Sequence, residues 1–242
     1  MREHILDKYP KNKIALEQHT QIKLEKDKVK LPYEMWSMNK IKPDINEINK
    51  FKKKYKGPYI ISAKIDGVSA LYSTENGKNK LYTRGNGTHG QNIDHLIEYL
   101  NLPKIENITV RGELIIKEKV FIEKYGDNYS NSRNFIAGLV NRKKISNEDK
   151  KMFKTIDFVA YELIVPENLK PSDQFSKLLE YKFITAKFIS NIKGDNFSNE
   201  FLSKTLQEWR ENYEYTIDGL VCIDDNIYER QSKNPDHAFA FK

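Results

Sequence analysis

The sequence predicts an α+β fold in which largely antiparallel sheets pack against one another with helices on the outside. Three features carry this reading. Short apolar, β-branched runs meet Asp-Gly or Asn-Gly pairs at Asp66-Gly67, Asn76-Gly77 and Asp218-Gly219. Segments with apolar residues at helical spacing alternate with those runs. Finally, 242 residues with 38% hydrophobic content can bury one large core or two modest ones.

In chain order, residues 1–30 are highly charged and weakly periodic, an arm with at most a short helix. Residues 31–40 gather Tyr33, Met35, Trp36 and Met38 between Pro32 and Pro43, which suits either a core plug or one wall of a pocket for a flat ligand. Asp44 can cap a helix whose apolar positions are Ile45, Ile48 and Phe51. Gly57-Pro58 ends it, and residues 59–63 form a strand running into Lys64. A strand resumes at Val68 and, after Asn76-Gly77, a partner at 80–83 brings Arg84 to the same end of the sheet as Lys64. The loop from Arg84 to Gly90 holds three glycines and can offer backbone N–H groups to an anion. A helix is expected from Gln91 or Asn92 to Leu100.

Residues 108–116 are a strand with Glu113 in an apolar run, where a carboxylate needs a partner. Residues 132–142 read as a helix, and 156–165, apolar on both faces, as a central strand. Helices at 171–182 and 199–211 flank a strand at 183–190. Residues 215–223 repeat the pattern of a strand with Asp-Gly, and 237–242 is a β-like run ending on Lys242.

The net charge is +7, with 15 Lys/Arg against 8 Asp/Glu in residues 1–60 and 26 against 26 in the remainder. A basic N-terminal arm beside a neutral body suggests contact with a polyanion. The lone Cys222 lies in an apolar run and excludes an internal disulfide and a cysteine-cluster metal site. No run is long enough to span a bilayer and the first residues lack the apolar block of a secretory signal, so an intracellular protein is expected.

Lys64-x-Asp66-Gly67 is a hairpin turn or a reactive centre. A lysine attacks phosphorus only as the neutral amine, which burial or neighbouring cations favour. Its company decides between the two. The ordered set Lys64-x-Asp66-Gly67, Thr83-Arg84-Gly85-x-Gly87, Val110-Arg111-Gly112-Glu113, Phe158-x-x-Tyr161, Ile217-Asp218-Gly219 and Ala240-Phe241-Lys242 resembles the covalent nucleotidyltransferase superfamily of polynucleotide ligases and capping enzymes. More narrowly it is similar to the adenylation domain of NAD-dependent DNA ligases, through Thr83 to Gly90, Ser132-Arg133-Asn134 with Ala137-Gly138, and Ser37-Met38-Asn39.

The resemblance covers residues 31–242 and implies the nucleotidyltransferase fold with a nucleotide between its sheets. It implies that Lys64 forms a lysyl-AMP phosphoramidate from NAD as the first step of sealing nicks in double-stranded DNA. Asp66 and Arg84 would orient ribose and phosphate, Glu113 would hold ribose or Mg²⁺, and Asp218 would bind the metal. Tyr161 would stack on adenine, Lys242 would neutralise the α-phosphate, and Ser37, Met38, Ile65 and Gly67 would line the nucleotide site. A monomer is expected.

Three features depart from the family pattern. Ile223 stands where the family has a lysine, with Arg142 or Lys233 as candidate replacements, and Ser62 stands where it has an acidic residue. The family's Tyr-His and Asp-x-x-Tyr-Asp cluster, which takes the nicotinamide half, is not recognisable in residues 1–30. The chain ends before the oligonucleotide-binding fold, zinc module and helix-hairpin-helix of such ligases, so a catalytic-domain fragment or a stripped-down relative is expected. The rival readings are an ATP-dependent DNA or RNA ligase on the same core, and a non-catalytic nucleotide- or nucleic-acid-binding relative.

Overall fold

A computed structural model describes residues 28–142 and 144–242. The arm expected from the first residues lies almost wholly outside them. Its last three do not: Lys28–Lys30 forms strand β1, so the folded region begins before residue 31. Strand β2 (Asn39–Ile41) precedes helix α1 (Ile45–Lys54), capped as expected by the Asp44 carboxylate, which accepts from the N–H groups of Asn46 and Glu47. Strands β3 (Tyr59–Ile65), β4 (Val68–Ser73), β5 (Lys80–Thr83) and β6 (His89–Gln91) follow. Strand β7 (Thr109–Ile116) leads to helices α2 (Glu118–Tyr125), α3 (Ser132–Val140) and α4 (Asn147–Phe153). Strand β8 (Ile156–Val165) and helix α5 (Pro171–Glu180) come next, then β9 (Ile184–Thr185) and β10 (Phe188–Ile192). Helix α6 (Asn199–Asn212), β11 (Ile217–Asp224) and β12 (Ala238–Phe241) complete the chain.

Two five-stranded sheets form the body. The first has the order β10-β3-β11-β12-β2 and the second β5-β4-β7-β8-β9. Both are antiparallel except for β2 beside β12 and β9 beside β8, so the largely antiparallel expectation holds. Strand β8 is flanked on both sides, as its apolar faces predict. The sheet-on-sheet arrangement also explains Asp66-Gly67. It is no hairpin turn, because β3 belongs to the first sheet and β4 to the second. The pair is a crossover that hands the chain from one sheet to the other. Gly67 is required there, since a Cβ would fall 2.3 Å from the Leu114 carbonyl oxygen of β7.

Each sheet has its own packing. The outer face of the first buries Ile61, Leu220, Cys222, Phe239 and Phe241 against Ile48 and Phe51 of α1 and Leu206 and Trp209 of α6. The second packs Val110, Leu114, Phe158 and Ala160 against Phe135 and Ile136 of α3, Phe153 of α4 and Phe175 of α5. Full burial of one such aromatic or aliphatic side chain contributes about 1.5–3 kcal/mol. On the opposite face of the second sheet, Leu31 and Met35 plug a small cluster with Leu71 and Ile164.

Several expectations need correction. The helix expected at 91–100 is a short 3₁₀ segment, Asp94–Tyr99, held by Asp94, whose carboxylate accepts from Leu81 N–H and Lys80 Nζ. The strand expected at 183–190 is two strands, β9 in the second sheet and β10 in the first. Of the 15 basic residues in 1–60, nine lie in residues 28–56 with only three acids, so the basic excess belongs to β1, β2 and α1 rather than to the arm. Among the described residues no helix is long and apolar enough to cross a membrane.

Candidate active site

The site is built on one rung of the first sheet. Lys64 of β3 lies opposite Gly219 of β11, and register places Lys242, just past β12, on the far side of that glycine. Gly219 allows this convergence, because a Cβ there would lie 3.0 Å from the Lys242 Cγ and 2.4 Å from the Phe241 carbonyl oxygen. A bulge between Ile217 and Gly219 turns Asp218 toward the two lysines. Lys64 Nζ lies 3.0 Å from Asp218 Oδ1 and 3.1 Å from Oδ2, and Lys242 Nζ also donates to Oδ2. Burial alone would raise the Asp218 carboxyl, but hydrogen bonds and charge from Lys242 and Lys64 outweigh it and hold the group below the usual carboxylate range.

Between the sheets lies a cavity of about 960 Å³, with Lys64 and Ile65 on one wall and Arg84, Glu113 and Tyr161 on the other. Glu113 is buried on β7 and accepts a 3.3 Å hydrogen bond from the Tyr161 hydroxyl, which also shares a 2.7 Å hydrogen bond with Ser69 Oγ. Burial pushes the Glu113 carboxyl up to about 7, although Arg111, Lys64 and Arg133 pull it the other way. Burial likewise pushes the Tyr161 hydroxyl up. The Arg111 guanidinium sits 5.5 Å from the Tyr161 ring centroid and donates to the Trp36 carbonyl at 2.9 Å.

Arg84 follows β5. Its backbone N–H is anchored to Ser69 O at 2.9 Å and its Nε to Met35 O, also at 2.9 Å. The 31–40 segment is thus both plug and wall: Leu31 and Met35 are buried, while Trp36, Ser37 and Met38 line the cavity. Asp66 lies outside the cavity wall and pairs with Arg133 of α3 at 2.7 Å. Gly67 does not line the cavity either; its role is the close approach of the sheets. Asp218 and Lys242 meet the cavity through Lys64 at its mouth.

Of the two replacements suggested for the absent lysine, Lys233 lines the cavity and pairs with Asp236 at 2.9 Å, whereas Arg142 lies outside the lining and is tied to the buried Asp149. Ile223 itself contributes apolar surface to the cavity.

Among the described residues no group of three or more His, Cys, Asp or Glu side chains forms a ready metal cage. A divalent ion held partly by substrate does not need one. Mg²⁺ characteristically takes one or two carboxylates together with water and substrate phosphates. Asp218 Oδ1 is buried without a well-directed hydrogen-bond donor, and Glu113 supplies a second carboxylate, so the donor set fits such an ion.

Residues 25–242 match the model of the NAD-dependent DNA ligase adenylation domain. The chain belongs to this family. This adenylation domain is 42% identical over 223 residues to a DNA ligase of Acanthamoeba polyphaga mimivirus, covering 89% of the chain and 34% of that protein. It is 28% identical over 254 residues to a DNA ligase of Mycoplasmopsis pulmonis, covering 95% of the chain and 36% of the relative. The chain therefore spans about a third of the length of these curated relatives. Among solved structures, an archaeal ATP-dependent RNA ligase superposes with a TM-score of 0.56 at 10% identity, over 86% of this chain and 48% of that one, a likeness of fold. Lys64, Arg84, Glu113 and Tyr161 of the quoted motifs all line this one cavity. Sequence reasoning assigned no role to Ser69 or Arg230; the latter pairs with Glu162 and donates to the Glu34 carbonyl at 2.7 Å.

Proposed function

We propose that the chain is the adenylating unit of an NAD-dependent DNA ligase, acting as an intracellular monomer on nicked double-stranded DNA. Lys64 would take AMP from NAD as the first step of joining a 5′-phosphate to a 3′-hydroxyl. The observation that carries this reading is the single rung on which Lys64 and Lys242 share Asp218 at the mouth of a nucleotide-sized cavity.

In the step proposed, Lys64 Nζ gives up a proton to become the free amine and attacks the α-phosphorus of NAD. The N–P bond forms, the P–O bond to the departing nicotinamide mononucleotide breaks, and a second proton leaves as nitrogen settles into a phosphoramidate with one N–H. Catalysis of this kind depends on placing positive charge where phosphoryl oxygens gain negative charge. Lys242, which shares Asp218 with Lys64, and Arg84, on the opposite wall of the cavity, would serve that purpose. Asp218 holds the amine in line, Glu113 takes the ribose, and Tyr161 offers its ring to the adenine. Mg²⁺, held by Glu113 and Asp218 with the donor's phosphates, would supply further charge neutralisation.

Recognition energy from the nicotinamide half orients the reacting phosphate, so a chain without a recognisable module for that half should react slowly with NAD. Intact-mass spectrometry with Mg²⁺ should find AMP bound noncovalently, weak labelling by NAD, and strong labelling once an upstream nicotinamide-recognising module is supplied. ATP should label poorly. Rapid labelling by ATP and none by NAD plus module would overturn the choice of donor. Ile223 favours a second reading, a relative that binds nucleotide without catalysis; labelling by neither donor is its outcome.

The lysines of α1 and its flank, Lys50, Lys52, Lys53 and Lys56, surround a shallow basic depression. We infer that they touch the DNA backbone. Charge removal at Lys52, Lys53 and Lys56 should flatten the dependence of log affinity on log salt by about 0.9 for each phosphate left unneutralised. An unchanged slope would remove this surface from the DNA path.

A further inference from the structure

We propose that Ser69 is a positioning residue for Glu113: its hydroxyl accepts the hydrogen bond of the Tyr161 phenol when a ribose arrives, and so leaves the Glu113 carboxylate free to accept from the sugar. Under the adenylation reading, on which this rests, Glu113 takes the ribose and Tyr161 offers its ring to the adenine.

The backbone brings the three side chains together. Ser69 of β4 lies directly opposite Glu113 of β7, and Glu113 opposite Val159 of β8. The register of β8 slips between Arg111 and Gly112, because Arg111 pairs with Glu162 and Gly112 with Ala160. Tyr161 is the extra residue of that bulge, without a ladder partner, and a bulge re-aims the side chain it carries. The Tyr161 ring reaches back over β7, for its hydroxyl ends 2.7 Å from Ser69 Oγ and 3.3 Å from Glu113 Oε2. All three side chains line the cavity.

One phenol proton therefore faces two acceptors. Burial keeps the phenol protonated, so it has that proton to give and needs a partner to receive it. The shorter contact is to Ser69, whose hydroxyl accepts as readily as it donates. Its strand is fixed beside it, the Ser69 carbonyl accepting from Arg84 N–H at 2.9 Å. Arg111, 5.5 Å from the centroid of the same ring, can only donate. A ribose whose hydroxyls donate to Glu113 competes with Tyr161 for that carboxylate. With Ser69 present the phenol turns to the serine, and no buried group goes unpaired. Without the serine hydroxyl the phenol keeps its hold on Glu113, and the sugar binds only by sharing the carboxylate or by leaving a buried donor unpaired.

Calorimetric titration without Mg²⁺, using AMP and 2′,3′-dideoxy-AMP, tests this, since the second nucleotide has no sugar hydroxyl to offer Glu113. Ser69→Ala should weaken AMP by about tenfold, the scale of a buried polar group left unpaired, and leave dideoxy-AMP within about twofold of wild type. Ser69→Thr keeps a hydroxyl on the strand and should bind AMP as the wild type does. In a Tyr161→Phe background the serine has no phenol to serve, so adding Ser69→Ala should change AMP affinity by less than about twofold. If Ser69→Ala loses its thermal transition, Ser69→Cys, close in size and a weak acceptor, carries the same expectations. Equal weakening of both nucleotides would make Ser69 a residue that shapes the pocket, and overturns the inference. So does an effect of Ser69→Ala that persists beside Tyr161→Phe, the sign of direct contact between serine and nucleotide, and so does wild-type affinity for AMP in Ser69→Ala. These results leave the nucleotide pocket standing; binding of neither nucleotide by the wild type overturns the inference and the adenylation reading together.

Discussion

Lys64→Ala should leave the chain folded and abolish its covalent labelling under every condition in which the wild type is labelled. The side chain is about a third exposed at the cavity mouth, so its loss removes little buried surface. Asp218 keeps Lys242 as a partner, which avoids leaving a half-buried carboxylate without a cation. Chemistry is another matter, because among the described residues no other side chain on that rung directs an amine at the cavity: Lys242 reaches it only across Asp218. The expected result is an intact mass without adduct and a thermal midpoint within a few degrees of wild type. An undiminished adduct on Lys64→Ala would remove Lys64 from the role of nucleophile.

Asp218→Ala and Glu113→Gln should each lower adenylation by roughly 10²–10³, the usual effect of losing one preorganised electrostatic contact. Their effects on stability should differ, which separates chemistry from folding. Removing Asp218 leaves two ammonium groups without their shared carboxylate on the strands that flank β11, so Asp218→Ala should be mildly destabilised, more so at low salt. Glu113 behaves in the opposite sense. Its carboxyl is raised to about 7 in the folded protein by burial, so folding favours the protonated form. The stability this provides is complete below the unfolded value and is lost as pH rises toward 7. Glu113→Gln cannot ionise, and its thermal midpoint should gain on the wild type between pH 4.5 and 7, by an equivalent of at most about 3 kcal/mol. A difference between the two proteins that is flat with pH would mean that Glu113 is ionised at little cost in the fold. Loss of the thermal transition with unchanged activity per folded molecule would make both carboxylates structural.

Most of the strands and the residues of the candidate rung were legible in the sequence, because β-branched runs and Asp-Gly pairs are local signals. Which sheet a strand joins is not local. Asp66-Gly67 has the composition of a hairpin turn, and only the contact between Gly67 and the β7 backbone makes it a crossover. The run 183–190 failed for the same reason: two short apolar stretches read as one strand until Lys187 O and Ala160 O pull them to different sheets. Helix α4 carried a readable signal in Ser146-x-x-Asp149, a reciprocal cap in which the Ser146 side chain accepts from Asp149 N–H and the Asp149 carboxylate from Ser146 N–H. Helix α2 has no side-chain cap and a weak apolar face, so packing decides it. In the site, motif spacing located Lys64, Arg84, Glu113 and Tyr161. It did not foretell that Asp66 would spend its carboxylate on Arg133, a pairing made across 67 residues of chain.

The small ribbon of β1 and β6 has a mechanical meaning. Lys28, Val29 and Lys30 pair with Gln91, Gly90 and His89, and Leu31 and Met35 continue the zipper through the carbonyls of Thr88 and Gly87. That loop carries Arg84 at its other end, and Met35 holds the Arg84 guanidinium directly. Tension or torque applied to the polypeptide at Lys28 is thus delivered, through a few stiff hydrogen bonds, to a cavity-lining cation more than fifty residues downstream. The ribbon acts as a handle: an attachment made upstream of it can set the aim of Arg84 without entering the cavity.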